Sequence, residues 1–268
     1  PNTSPIPAQH ALNSTLETSM QNLILAALIS LMLAACTTQG PSIGPDAAAI
    51  SAAIADPARP AEDVARDVDR KPGDMLAFAG AKAGDRVVDF IPGSGYFTRL
   101  FSKVVGADGK VYAAAPTNPD GSAPAVAAIA ADAVYANVSL IPLAPGTFTT
   151  PEPVDIIWTA QNYHDLHLAR LKIDVPQAVK GLFDALRPGG VLIIVDHVAA
   201  DGTGLDMPDK LHRISMDIVK QEVTAAGFVY EDESRVLRNP EDDHTKGVFD
   251  PSVRGRTDQF VFRFRKPG

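Results

Sequence analysis

The chain has one cysteine in 268 residues, so an internal disulfide and any multi-cysteine metal site are excluded. Aromatics are sparse at 6%, with Trp158 the single tryptophan, and advertise neither an aromatic cage nor a base-stacking platform. Positive charge is in deficit, giving a formal net charge of -8 and no overall field to gather phosphate backbones. No nucleic-acid partner is therefore expected, and a small neutral or cationic ligand suits the balance better. Zinc-protease spacing of the HExxH type is absent, and Gly93-Ser94-Gly95, which follows the first strand, lacks the GxSxG elbow of a serine hydrolase. What the chain does have is 46% hydrophobic residues over a length suited to one good-sized α/β core.

One apolar run, Leu23 to Ala35, has the length of a signal-peptide core and is short for a membrane span. It ends in Leu33-Ala34-Ala35-Cys36 and is followed by the linker-like TTQGPSIGP. The segment resembles a bacterial lipobox, which implies lipidation of Cys36 and a lipid anchor in the cell envelope, facing the periplasm. Residues 1–35 are expected to be an upstream extension and lipoprotein signal peptide, 36–60 a linker, and 61–268 the folded domain.

From Arg86 onward the grammar is regular. Arg86 to Ile91, Lys110 to Ala115, Val138 to Leu143, Val154 to Thr159 and Val191 to Val195 read as strands. Helical spacing follows at Tyr96 to Val105, a Pro- and Ala-rich stretch to Ala136, Val175 to Leu186 and Lys210 to Ala226. Phe228 to Leu237 and Gln259 to Arg265 close the chain as two strands. Upstream, Asp46 to Pro72 suits one or two short helices, with Asp63 through Arg70 read as mixed charge on a solvated face. Alternating strands and helices imply a mostly parallel sheet covered on both faces.

In such sheets ligands lie beyond the carboxyl ends of the strands. There the first strand ends in Asp89 and runs into Pro92-Gly93-Ser94-Gly95-Tyr96; the fourth leads into Gln161-Asn162-Tyr163-His164-Asp165; the fifth ends in Asp196-His197. A GxG turn after a strand serves dinucleotides as well as other ligands, but the third glycine of the dinucleotide fingerprint is replaced here by Thr98. VVDFIPGSGYFT resembles the first motif of class I S-adenosylmethionine-dependent methyltransferases, and WTAQNYHDLH and RPGGVLIIVDH resemble their fourth-strand and fifth-strand segments. Together with HRISMDIVKQEVTAAGF and the C-terminal segment, the order resembles a bacterial family of predicted class I methyltransferases over roughly residues 60–266.

The resemblance implies a Rossmann-like α/β fold, with a mostly parallel seven-stranded sheet whose last strand runs antiparallel between the two before it in space. It implies S-adenosylmethionine as cofactor, held by Asp89, Pro92, Gly93, Ser94, Gly95, Tyr96, Asn162, Tyr163 and Asp165, and a small-molecule methyl acceptor. His164, His197 and Asp196 are the catalytic candidates; adjacent strand residues point to opposite sides, so Asp196 and His197 need not cooperate. Asp165, Asp196, His164, His197 and His212 could converge, and carboxylate with imidazole suits a divalent ion, but no metal-binding spacing supports it and no metal site is expected. One departure is clear: the second strand ends in Ala115-Pro116, where the family places an acid for the cofactor's ribose, and Asp120 is the nearest carboxylate. It keeps open a second reading, an exported, membrane-anchored binding protein that has the fold without the reaction.

Overall fold

Apart from the terminal Pro1, the computed structural model describes residues 46–144 and 148–268. Cys36 and the apolar run before it lie outside the described residues. Among those described, no helix is long and apolar enough to cross a membrane.

Seven strands form one sheet: β1 (Arg86–Phe90), β2 (Lys110–Ala115), β3 (Val138–Pro142), β4 (Val154–Ala160), β5 (Leu186–His197), β6 (Val229–Ser234) and β7 (Gln259–Arg265). Their order is β3-β2-β1-β4-β5-β7-β6. All pairs are parallel except β5 with β7 and β6 with β7. The last strand therefore enters antiparallel between β5 and β6, as the sequence resemblance implied.

Period-2 patterning sends alternate residues to two separate cores. Val87, Val111, Ile156, Trp158, Ile193 and Val261 face one way, toward α1 (Ala47–Ile54), α4 (Pro72–Ala79) and α5 (Tyr96–Val105). Val88, Phe90, Ile157, Leu192, Ile194, Phe260, Phe262 and Phe264 face the other, toward α7 (Val175–Ala185) and α9 (Met216–Ala225). Burial on both faces explains why the central strands read as continuous apolar runs.

Two expectations need correction. Part of the segment read as a linker is α1, capped by the Asp46 carboxylate, and its Ile50 and Ala53 join the first core. The single helix expected over Lys210 to Ala226 is broken into α8 (Met207–Leu211) and α9, because His212 turns left-handed at φ 53°. Beyond it the backbone bonds to the end of β5 instead of continuing the helix: Ile214 donates to His197 O at 3.0 Å, and Ala199 donates to Ile214 O at 3.0 Å. Upstream, α2 (Ala61–Val64) and α3 (Asp67–Arg70) are single turns that carry their charged residues to the mouth of the sheet.

Candidate functional site

At the switch of strand order, β1 and β4 are neighbours while their connections leave in opposite directions, which opens a crevice above their carboxyl ends. The β1 exit is strained: Ile91, a β-branched residue, takes φ 56°, and its counterpart after β4, Gln161, takes φ 65°. Left-handed backbone at such residues is uncommon and is sustained where the surroundings fix it, typically at ligand sites. Here Asn162 Nδ2 clamps the two exits, donating to Ile91 O at 2.8 Å and Ala160 O at 2.7 Å.

The glycines of the turn have different duties. Gly95 has φ 83°, and a Cβ there would lie 2.2 Å from Ile129 Cδ1, so its hydrogen is needed for packing on α6 (Ala127–Ala130). Gly93 has φ 59°, yet a Cβ there meets nothing within 4 Å. The space over Gly93 is open, which is what close approach of a ligand to backbone requires. Directly after the turn α5 begins, and its first residue, Tyr96, lines the same crevice.

Asp89, Pro92, Gly93, Ser94, Tyr96 and Asn162 line one cleft together with Arg66, Arg70 and Gln161. Burial pushes the Asp89 carboxyl up to about 6, against the Thr98 hydroxyl, which donates to it at 2.6 Å, and the Arg70 charge. Arg70 lies 4.7 Å from the Tyr96 ring centre, and its Nη2 donates to Gln161 Oε1 at 2.7 Å. Burial and the neighbouring Arg66 push the Arg70 pKa down to about 10, still charged at neutral pH. Among the described residues neither arginine has a carboxylate partner within salt-bridge distance. The cleft thus offers a carboxylate and two guanidinium groups side by side, the complement of an amino acid zwitterion.

The arginines were missed by the sequence reading, which placed Asp63 to Arg70 on a solvated face. Asp63 is instead buried and paired with Arg99 at 2.9 Å, and Asp67 holds Arg59 and the Tyr96 hydroxyl. The i, i+4 spacing of Arg66 and Arg70 was the available signal.

A larger cavity of about 580 Å³ adjoins the cleft and shares Arg66, Arg70, Ser94, Phe97 and Gln161 with it. Its far wall holds His197 and Gln259 from β5 and β7, and its roof is the loop carrying Val248, Phe249 and Arg254. That loop is tied down by Arg213, fully buried, which bonds bidentately to Asp242 at 2.9 Å and donates to Lys246 O and Val198 O. His244 bonds to Asp258 at 3.0 Å within the same loop. On the other side of Ile91, an apolar cavity of about 410 Å³ is bordered by Thr117 and Asn118 after β2, Leu143 after β3, Phe148, Asp165 and Leu166.

The remaining predicted residues divide. Tyr163 is turned into the second core, its hydroxyl donating to Glu222 at 2.9 Å, and does not reach the cleft. Asp196 and His164 form a buried pair, Nδ1 to Oδ1 2.8 Å; burial opposes protonation of His164, but the Asp196 charge and hydrogen bond outweigh it and raise its pKa. His197 points the other way, to the large cavity, with Nδ1 2.7 Å from Thr257 Oγ1; burial lowers its pKa to about 4, so it is neutral at physiological pH. Adjacent strand residues do serve opposite sides, as expected. Neither Asn118 nor Asp120 reaches back to the cleft: Asp120 accepts from Ser122, and Asn118 donates to Ser122 and Ala123.

No protein-family model matches the sequence, and no curated protein matches it. Solved structures do. An S-adenosylmethionine-dependent methyltransferase from Aquifex aeolicus superposes with a TM-score of 0.54 at 21% identity, covering 82% of this chain and 98% of that one. A second, from Mesorhizobium loti, gives 0.51 at 16% identity over 75% of this chain and all of that one.

The chain has the class I methyltransferase fold.

The [4+2]-cyclase SpnF, named for a different activity, superposes with a TM-score of 0.53 at 17% identity over 77% of this chain and 81% of that one. For a methyltransferase-fold chain the residues of the cleft, more than the sheet, therefore decide function.

Proposed function

We propose that the chain is an S-adenosylmethionine-dependent methyltransferase acting on a small molecule. The observation that carries the reading is the meeting, in one cleft at the ends of β1 and β4, of an open Gly93, a carboxylate and an arginine pair. Asp89 would hold the cofactor's ammonium, Arg66 and Arg70 its carboxylate, and the turn amides its backbone-facing edge. The apolar cavity beside Ile91 would take the adenosine. When bound, the cofactor supplies an electrophilic methyl group on a cationic sulfonium.

The chain's own part is alignment first. Methyl transfer is an in-line displacement, and a cavity of about 580 Å³ abutting the cleft suits a small acceptor held in register. His197, neutral and facing that cavity, accepts a hydrogen bond from the acceptor's nucleophilic atom and so orients it. Asp196 and His164 stand behind it as a buried pair.

The test is incubation of the purified chain with methyl-labelled S-adenosylmethionine and a pooled bacterial small-molecule extract. Label in a new small molecule, with stoichiometric S-adenosylhomocysteine, is the expected result; cofactor binding without turnover over any extract favours the binding-protein reading. That second reading draws on one observation, the Ala115-Pro116 end of β2 with Asp120 occupied elsewhere.

Charge recognition at Asp89 makes binding pH-dependent. An ammonium ligand needs the ionised carboxylate, which the free protein loses as pH falls through about 6. Affinity for S-adenosylmethionine is expected to be level above pH 7 and to drop toward tenfold per unit below pH 6. Titrations from pH 5 to 8 check this, and Asp89→Asn should flatten the curve at the weak level.

We also propose that Cys36 is lipidated and holds the domain at the envelope membrane. Mass spectrometry of protein from a bacterial host should find the chain beginning at an acylated Cys36; an unprocessed chain with a free thiol contradicts it.

A further inference from the structure

His164, Asp165 and His212 converge from two separate segments at the carboxyl end of the sheet. The first two sit in the 3₁₀ turn Tyr163–His167 after β4, and His212 sits in the break between α8 and α9. His164 Nε2 lies 3.3 Å from His212 Nδ1 and 3.5 Å from Asp165 Oδ1, and all three atoms fall within 4.8 Å of one another. Two ligands at zinc–nitrogen distances of about 2.0–2.1 Å, set at the tetrahedral angle, are about 3.3–3.4 Å apart. Two of the three separations thus have nearly the edge length of a tetrahedral coordination shell.

The ring orientations agree with that use. Asp196, with no exposed surface, accepts from the His164 backbone N–H at 2.7 Å and sits 2.8 Å from His164 Nδ1. A proton held on Nδ1 leaves the Nε2 lone pair directed at His212 and Asp165, the carboxylate–histidine arrangement by which metal-binding imidazoles are oriented. His212 keeps a left-handed backbone that a non-glycine residue rarely adopts, with its ring edge-on to Phe249 at 5.0 Å.

We propose that His164 Nε2, His212 Nδ1 and Asp165 Oδ1 bind one divalent transition-metal ion of the zinc class, with a fourth position open to water or a small ligand. Two imidazoles and one carboxylate suit zinc, cobalt or iron(II) and disfavour calcium and magnesium. The site requires no methyl transfer: it stands or falls on these side chains whether or not the chain binds S-adenosylmethionine. The rival account is a plain hydrogen bond between the two imidazoles.

The experiment uses the untagged full chain, stripped with a chelator and dialysed, then titrated with Co(II) by visible spectroscopy and with Zn(II) by calorimetry. One equivalent of Co(II), giving the d–d bands of a low-coordinate site and displaced by Zn(II), is expected. His212→Ala should weaken Zn(II) binding at least 100-fold, and Asp196→Asn, which touches no metal, about 10- to 100-fold by loosening His164. Should His212→Ala fail to fold, Asp165→Asn replaces it, with at least a tenfold loss expected. Absence of stoichiometric Co(II) binding, or equal affinity in the folded variants, overturns the proposal and leaves the imidazole hydrogen bond.

Discussion

Replacing Gly93 with leucine is expected to abolish S-adenosylmethionine binding while leaving the domain folded. A Cβ at Gly93 meets no protein atom within 4 Å, so the cost to the fold is confined to the left-handed backbone at φ 59°. That cost is about 1–2 kcal/mol, a fall in Tm of about 2–8 °C for a domain of this size. The side chain would then fill the space a ligand must occupy against the turn. Gly95 provides the contrast: a Cβ 2.2 Å from Ile129 Cδ1 makes that buried side chain give way, on a backbone already left-handed at φ 83°, so Gly95→Ala should destabilise the fold by about 1–3 kcal/mol. Calorimetry with thermal melts on both variants separates the two roles. A Gly93→Leu chain that binds as the parent does would place the site elsewhere.

Arg70→Met should cost affinity without costing stability. The arginine is partly buried, lies beside a second cation, Arg66, and has no carboxylate within salt-bridge distance among the described residues. Removing the charge relieves desolvation and the repulsion from Arg66, which offsets the lost attraction to Asp89 and Asp63, and methionine keeps the packing against Tyr96 and Phe97. The hydrogen bond to Gln161 is lost, so the net expectation is a Tm equal to or slightly above the parent's. Binding of a carboxylate ligand should fall about 10- to 100-fold, the worth of one charge-assisted contact. Loss of stability with unchanged affinity would make Arg70 a structural residue.

The sheet was legible because its signal is strong and local: β-branched runs between Gly-Asp and Pro-Gly turns, in an order that a methyltransferase fold accommodates. The turn Gly93 to Tyr96 and the acid before it were legible for the same reason, since strand, glycines and helix follow one another without interruption. What the sequence hid depends on contacts distant along the chain. Arg66 and Arg70 look like surface charge until the short helices that carry them fold over the β4 exit, where Gln161 receives Arg70 across 91 residues. His212 looks helical because its neighbours have helical spacing; only the pairing of Ile214 with Val198 explains why the backbone turns aside. Tyr163 was misplaced because a 3₁₀ turn rotates each side chain by a third of a circle, sending Tyr163 to the core and leaving Asn162 at the crevice.

The absent acid after β2 bears on which end of the cofactor supplies affinity. With Asp120 and Asn118 engaged within their own loop, the proposed cofactor would be recognised at its amino acid end, where Asp89 and the arginines converge. The most direct test of the central claim is therefore calorimetric titration of the full chain with S-adenosylmethionine at pH 7.5, repeated with S-adenosylhomocysteine and with adenosine. One site per chain for the first two, and markedly weaker binding of adenosine, is the predicted result. No detectable heat and no thermal shift with either amino-acid-bearing ligand would contradict it.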